Sequence, residues 1–224
     1  MNPILAVALK DLSLEGRSKE VLSGAAFFAV LVLMILGFAL GPDSQRLRDA
    51  GPGVLWVAIA FASVLAAGRA WTGEQESDAL EGLLLYPVSL EGVYLGKLLA
   101  NFVLMLGLCV ITVPLAFVLY GLPIPLERAP LFLLFLLLGV LGFCIISTFY
   151  GALTVSLRAR EALLPVLMFP ILIPVVLGSV KGTALLGSSG PLPSEITTWL
   201  GLLAAFDLIY LTIAALAFPA AVEG

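Results

Sequence analysis

Histidine is absent from this 224-residue chain and cysteine occurs only twice. The lack of imidazole removes the commonest metal ligand, general base and axial haem ligand together. Cys109 and Cys144 each lie inside an apolar stretch, with no second cysteine nearby in sequence. They read as small buried hydrophobes, not as a disulfide or a metal site. Charge is scarce too: 12% of residues are charged, and 15 acids against 11 bases leave a net −4, the wrong sign for binding nucleic acid. No G-x-x-x-x-G-K-[ST] pattern occurs, so the chain has no loop of that kind to cradle nucleotide phosphates.

What is present is apolar: 61% of residues are hydrophobic, gathered into six stretches at Val21–Leu40, Val54–Trp71, Val93–Tyr120, Pro130–Leu157, Ala162–Val180 and Thr198–Phe218. Each approaches or exceeds the ~20 residues that carry a helix across a ~30 Å hydrocarbon layer. A soluble protein of this size cannot hide so much apolar surface, so the solvent is the bilayer. The fold class is all-α, a polytopic membrane protein with six transmembrane helices. No polar break is long enough to fold alone, so residues 1–224 form one membrane domain, and soluble machinery comes from another polypeptide.

Residues 1–20 form an interfacial segment ahead of the first span. Met1-Asn2-Pro3 carries no basic cluster and Ile4–Leu9 is short for a signal peptide. Leu5, Leu9 and Leu12 fall at i, i+4 and i+7, which suits a weakly amphipathic helix lying in the interface plane. A disordered leader is the plainer alternative. Placing the N-terminus inside puts Lys10, Arg17, Lys19, Arg69, Lys97, Arg158 and Arg160 on the cytoplasmic side, and Arg46, Arg48, Arg128 and Lys181 outside. The bias favours both termini in the cytoplasm. Trp56 and Trp71 bracket the second span as interfacial anchors, and Arg69 snorkels to the inner face. The outer connections Gly41–Gly53, Gly121–Arg128 and Gly182–Glu195 are rich in turn formers. Gly37-x-x-x-Gly41 and Gly92-x-x-x-Gly96 have the spacing of close helix contacts without establishing a dimer.

Residues 72–88 are the most informative polar segment. Thr72 with Gln75 has the spacing of a capping box, Glu74, Asp78 and Glu81 make an acidic stripe at i, i+4 and i+7, and Leu80, Leu83 and Leu84 take the other side. Pro87 ends this short helix and Ser89 caps the next. The segment is either a docking helix for a soluble subunit or a solvated loop whose acids keep the inner face soluble. In the fifth span Pro165, Pro170 and Pro174 each remove a backbone donor, which predicts a kinked or broken helix, a flexing element or a path lining. The fourth span, Pro130–Leu157, is long enough to tilt or protrude. Asp207 sits mid-span between Ala204-Ala205-Phe206 and Leu208-Ile209-Tyr210. An acid at helix centre costs about 2.5–3.5 kcal/mol on insertion scales. It is a functional site facing a cavity or partner helix, or a structural acid paired with Tyr210 or a neighbouring hydroxyl. Met34, Met105 and Met168 are core filler before they are ligands.

The run Glu74–Lys97, with its Glu-Gly-Leu-Leu-Leu-Tyr-Pro-Val-Ser core and Leu95-Gly96-Lys97-Leu98, resembles the first inner loop of ABC-2-type exporter permeases. More closely it resembles the heme exporter protein B family of bacterial cytochrome c maturation. The stretch Gly151–Arg158 followed by Leu163-Leu164-Pro165 and Pro170-Ile171-Leu172-Ile173-Pro174-Val175 is similar to that family's fourth-to-fifth span junction. The resemblance implies a permease subunit, not an enzyme, in the bacterial inner membrane. It implies pairing with a second copy and a separate ATP-binding cassette subunit that holds the ATP, beside a haem-handling membrane protein and a periplasmic haem chaperone. Glu74, Asp78, Glu81 and Pro87 are then the ATPase-docking helix, and ATP hydrolysis drives haem export or release of the haem-loaded chaperone. No cofactor is bound directly, and haem is cargo shielded by apolar surface or held by partners. Alternatives are an ABC-2-type exporter permease for a lipid, drug or polysaccharide, or a secondary transporter using Asp207. Against the last, no internal repeat is visible.

Overall fold

The computed structural model describes residues 3–70, 89–154 and 160–223, apart from the side chains of 69–70, 160–162 and 221–223. Among them are seven α-helices in the order α1 (Pro3–Ser18), α2 (Glu20–Leu40), α3 (Ser44–Ala70), α4 (Leu90–Tyr120), α5 (Ala129–Thr154), α6 (Arg160–Leu186) and α7 (Glu195–Glu223). Helices α2 to α7 are the six long and apolar enough to cross a membrane. Their form follows from the solvent: hydrocarbon offers backbone groups no partner, so each crossing must satisfy its hydrogen bonds within itself.

Successive crossings alternate in direction. One end of the bundle carries α1 against the start of α4, and the far end carries residues 41–43, 121–128 and 187–194. Helix α5 packs against α3, α4, α6 and α7, and its buried Phe135 and Phe143 rings lie in the core with the indole of Trp56 from α3. Phe27, Phe38, Val110 and Val118 face outward, as lipid contact requires.

The crossings occur where hydropathy places them, but several boundaries and anchors differ. Helix α3 begins at Ser44, which cuts the expected Gly41–Gly53 connection to three residues. Asp43 Oδ1 accepts from the backbone N–H groups of Gln45 (3.0 Å) and Arg46 (3.3 Å), which caps that start. Helix α6 runs on to Leu186, so the first residues of the expected outer turn, 182–186, are helical. Gly51 and Gly182 explain both misreadings, because they mark close approach, not turns. A Cβ on Gly51 would stand 2.6 Å from Leu122, and one on Gly182 would collide with the ring of Phe135. Trp56 is 0% exposed, so it is a core residue and not an interfacial anchor; its indole N–H donates to Thr183 Oγ1 at 2.9 Å. Trp71 and the Arg69 side chain lie outside the described residues. The longest described helix is α4, with 31 residues; α5 is described from Ala129 to Thr154, and the expected end of the fourth span at Leu157 lies outside the described residues.

Candidate functional site

Two places hold buried polar chemistry. The first is where α1 lies against the start of α4. Helix α1 is folded and not a disordered leader, and its leucines Leu5, Leu9 and Leu14 face away from the bundle, the arrangement an interfacial helix needs. Its other side is seated by the motif Leu95-Gly96-Lys97-Leu98. A Cβ at Gly96 would meet the Ile4 carbonyl at 2.8 Å and Val7 at 2.7 Å, so only glycine lets α1 approach. Next to it Lys97, 4% exposed, donates to Asp11 Oδ2 at 3.1 Å. One turn on, Glu15 Oε1 accepts the Leu22 N–H at 2.7 Å, one of the donors that the start of α2 leaves unbonded. Lys19, in the left-handed region at φ 53°, makes the bend between α1 and α2.

These contacts tie α1 to both α2 and α4. Residue-level reasoning attributed Gly92 and Gly96 to helix spacing and missed the Asp11–Lys97 pair, which spans 86 positions of sequence. The signal that was available is a lysine at the eighth residue of an apolar helix. Lys97→Ala is expected to strand Asp11 and destabilise the protein by roughly 3 kcal/mol, as for other broken buried pairs. Limited trypsin cleavage at Arg17 and Lys19 reads the release of α1, and the swap Asp11→Lys/Lys97→Asp should restore protection. Cleavage unchanged from the native chain would show that Gly96 packing alone holds α1.

The docking residues Glu74, Asp78, Glu81 and Pro87 lie outside the described residues. Their two flanks are described: α3 ends at Ala70, and α4 starts at Leu90 with Ser89 Oγ accepting the Gly92 N–H at 3.3 Å, the cap expected from sequence.

The second place is the bundle interior around Asp207. This side chain on α7 is 5% exposed, and neither carboxylate oxygen has a hydrogen-bond partner. The expected pairing with Tyr210 or a hydroxyl is not made, because the Tyr210 ring is stacked on Phe206 with centroids 4.3 Å apart. Room for the carboxylate comes from Gly142 of α5, where a Cβ would stand 2.8 Å from Oδ1 and 3.0 Å from Val175 of α6. Cys144 of α5 lies within electrostatic reach of both Asp207 and Cys109 of α4, and both thiols are free and buried. A polar cluster absent from the sequence reading joins α4 to α5: Asn101 Nδ2 donates to Ser147 Oγ and Thr148 Oγ1, each at 3.1 Å. A lone asparagine in an apolar span was its only signal.

Helix α6 continues unbroken through Pro165, Pro170 and Pro174. Its buried stripe is Leu164, Met168, Leu172, Val175, Ser179 and Thr183, whereas Pro170 is exposed and the other two prolines are half-buried. None of the three rings belongs to the stripe that faces the bundle. The glycine pairs also serve contacts within the chain. Gly37 packs on the Tyr120 hydroxyl, which donates to the Leu33 carbonyl at 2.7 Å, and Gly96 seats α1. Among the described residues no three His, Cys, Asp or Glu side chains are grouped to hold a metal ion.

Comparison with known proteins agrees with this architecture. Residues 2–224 match the family described as CcmB protein. The chain is 35% identical over 195 residues to heme exporter protein B of Pseudomonas aeruginosa, covering 86% of this chain and 84% of that one. It is 31% identical over 219 residues to the Paracoccus denitrificans protein of the same name, covering 97% of both. The match to the Escherichia coli K12 protein of that name is 30% over 91 residues, 41% of each chain.

Proposed function

This chain belongs to the CcmB family, and from that membership we propose that it is the permease subunit of an ABC-type complex for haem export in cytochrome c biogenesis. The carrying observation is the end-to-end match to a protein named heme exporter protein B, which covers 97% of this chain and 97% of that one. Six crossings and a chain without a nucleotide-binding loop support a subunit that moves while another chain hydrolyses ATP.

In this reading the α1 end faces the cytoplasm of a bacterial inner membrane, with both termini inside. The acidic residues Glu74, Asp78 and Glu81, with Pro87 closing their helix, dock the ATP-binding subunit. Because residues 71–88 connect α3 to α4, force applied there reaches the two helices directly, and α1, clamped to α4 through Gly96 and Lys97, moves with them. Pro165, Pro170 and Pro174 are the hinge of α6, since each deletes one rung of its hydrogen-bond ladder. A second copy completes the membrane unit, and a haem-handling membrane protein with a periplasmic haem chaperone receives the cargo. Haem is substrate here, passed along apolar surface or by partners, since the chain offers no imidazole to hold its iron.

Deleting the chain from its own cell is expected to abolish covalent c-type cytochromes and leave b-type cytochromes intact, with rescue by a plasmid copy. Haem-stained gels and difference spectra measure both. Normal c-type cytochromes in the deletion strain would remove the assignment.

A further inference from the structure

At the far end of the bundle lies an open cavity of ≈ 410 Å³, walled by Arg48 and Asp49 of α3, Pro123 of the 121–128 connection, and Thr183 and Ser188 beside the end of α6. Arg128 shapes one side: its guanidinium donates to the carbonyls of Leu186 (2.9 Å), Ser188 (2.7 Å) and Gly190, so it caps the C-terminal end of α6 and fixes the next loop.

Thr183 belongs both to this cavity and to the buried interior, being 1% exposed and bonded to the Trp56 indole. One turn deeper on the same face of α6 is Ser179, fully buried, with no partner for its hydroxyl. Ser179 Oγ lies 2.5 Å from where a Cβ of Gly139 would stand, and Asp207 Oδ1 lies 2.8 Å from the same position on Gly142. Gly139 and Gly142 share one face of α5, about 4.5 Å of helical rise apart. Three polar side chains therefore succeed one another along the α5–α6 seam, and the last two lack hydrogen-bond partners among the described residues. Buried polar groups without protein partners draw water where space and an entrance exist. Glycine at 139 and 142 lets the Ser179 hydroxyl and the Asp207 carboxylate lie directly against α5, and the cavity at Thr183 supplies the entrance.

We propose that Asp207 ends a proton-access path that enters at the far-end cavity and follows the α5–α6 seam past Thr183 and Ser179. In the step itself a water O–H bond breaks and the carboxyl O–H bond of Asp207 forms, the displaced proton being replaced from the cavity; no electron moves. Against the carboxyl stand Gly142 from α5 and Val175 from α6; the Cys144 thiol of α5 is within electrostatic reach, and Tyr210, the next titratable group along α7, is stacked on Phe206. None is a cation, so gain or loss of the proton changes the charge of the bundle interior without compensation. That makes the α5–α6–α7 packing responsive to pH on one side of the membrane. The path does not depend on the identity of the cargo, and it uses the orientation given above only to name that side as outer.

The test labels the native complex in sealed vesicles with dicyclohexylcarbodiimide, the pH being clamped separately on each side. This apolar reagent takes the proton of a neutral carboxyl onto its nitrogen while the carboxyl oxygen bonds to its carbon; the acyl group of that O-acylisourea then migrates from oxygen to nitrogen, leaving a stable N-acylurea that peptide mass mapping locates. The adduct at Asp207 is expected at low far-side pH, to be lost when the far side alone is made alkaline, and to ignore the α1-side pH. In Ser179→Ala/Thr183→Val the dependence on far-side pH should disappear within the labelling time. A Ser44→Cys reporter, tagged by an impermeant maleimide, reports which side the far end faces, so a wrong orientation is distinguishable from a wrong path. Labelling governed by the α1 side, labelling indifferent to both sides, or no adduct at low pH on both sides would each overturn the proposal. Because the unmodified protein carries the decisive measurement, a misfolded variant does not shelter the idea.

Discussion

Replacing Glu74, Asp78 and Glu81 together by lysine is expected to abolish co-purification of the ATP-binding subunit and, with it, maturation of c-type cytochromes. The three acids fall at i, i+4 and i+7, so on a helix they present one charged stripe. A partner that docks on that stripe must offer complementary charge, and reversing it sets like charges face to face, which costs several kcal/mol in a contact. Such a loss lowers affinity by a thousandfold or so, since each 1.4 kcal/mol is a factor of ten. Membrane insertion should survive, because the segment lies between spans and added lysines strengthen cytoplasmic retention. The neutral triple Glu74→Gln/Asp78→Asn/Glu81→Gln should fall between the two. Pull-down of the detergent-solubilised complex with quantified ATPase measures the outcome, and an undiminished ATPase band in the lysine variant would end the docking assignment.

Gly182→Val is expected to destabilise the bundle by several kcal/mol, roughly the upper end of what overpacking costs or more. The fully buried Phe135 ring of α5 occupies the place where a side chain at 182 would go, and Gly139 opposite is already in contact with Trp56 and Ser179. The ring has no direction in which to retreat without displacing Trp56 or opening the α5–α6 seam. Overpacking of this kind typically costs about 1–3 kcal/mol, and the upper end or beyond applies where the obstructing group is itself enclosed. Gly201→Ala is the matched comparison, because nothing lies within 4 Å of that position in α7. It should be neutral or stabilise by up to about 1 kcal/mol, through helix propensity. Thermal melting in detergent compares them, and equal melting temperatures for Gly182→Val and the native chain would show that the seam is loosely packed.

Both predictions draw on different layers of information. The acidic stripe is wholly a sequence inference, since it lies where the structure describes nothing. The Phe135–Gly182 contact is wholly structural: in sequence Gly182 opened an expected outer turn. The same holds at Gly51, whereas Gly96 was read for a close helix contact and makes one, with α1. A glycine is compatible with a turn, a cap or a close approach, and nothing local distinguishes them. Asp207 was legible as an anomaly from its apolar neighbours, but that its oxygens are unpartnered, and that Ser179 and Thr183 lie toward the cavity from it, depends on α5 and α6. Trp56 misled for a related reason. A tryptophan near a span boundary suits the interface, yet its indole found Thr183, and the true start of α3 at Ser44 carries it well inside the helix.

By itself the sequence determined the solvent of this protein, the number of crossings, their alternation and the place of the polar break between the second and third. Each depends on the free energy of moving about twenty consecutive residues into hydrocarbon, a sum taken along the chain. Only the tertiary structure decided which glycines are contacts, which charges are paired and which acid is left alone in the interior. Those properties belong to two or three segments at once, and the distance between segments is set by packing.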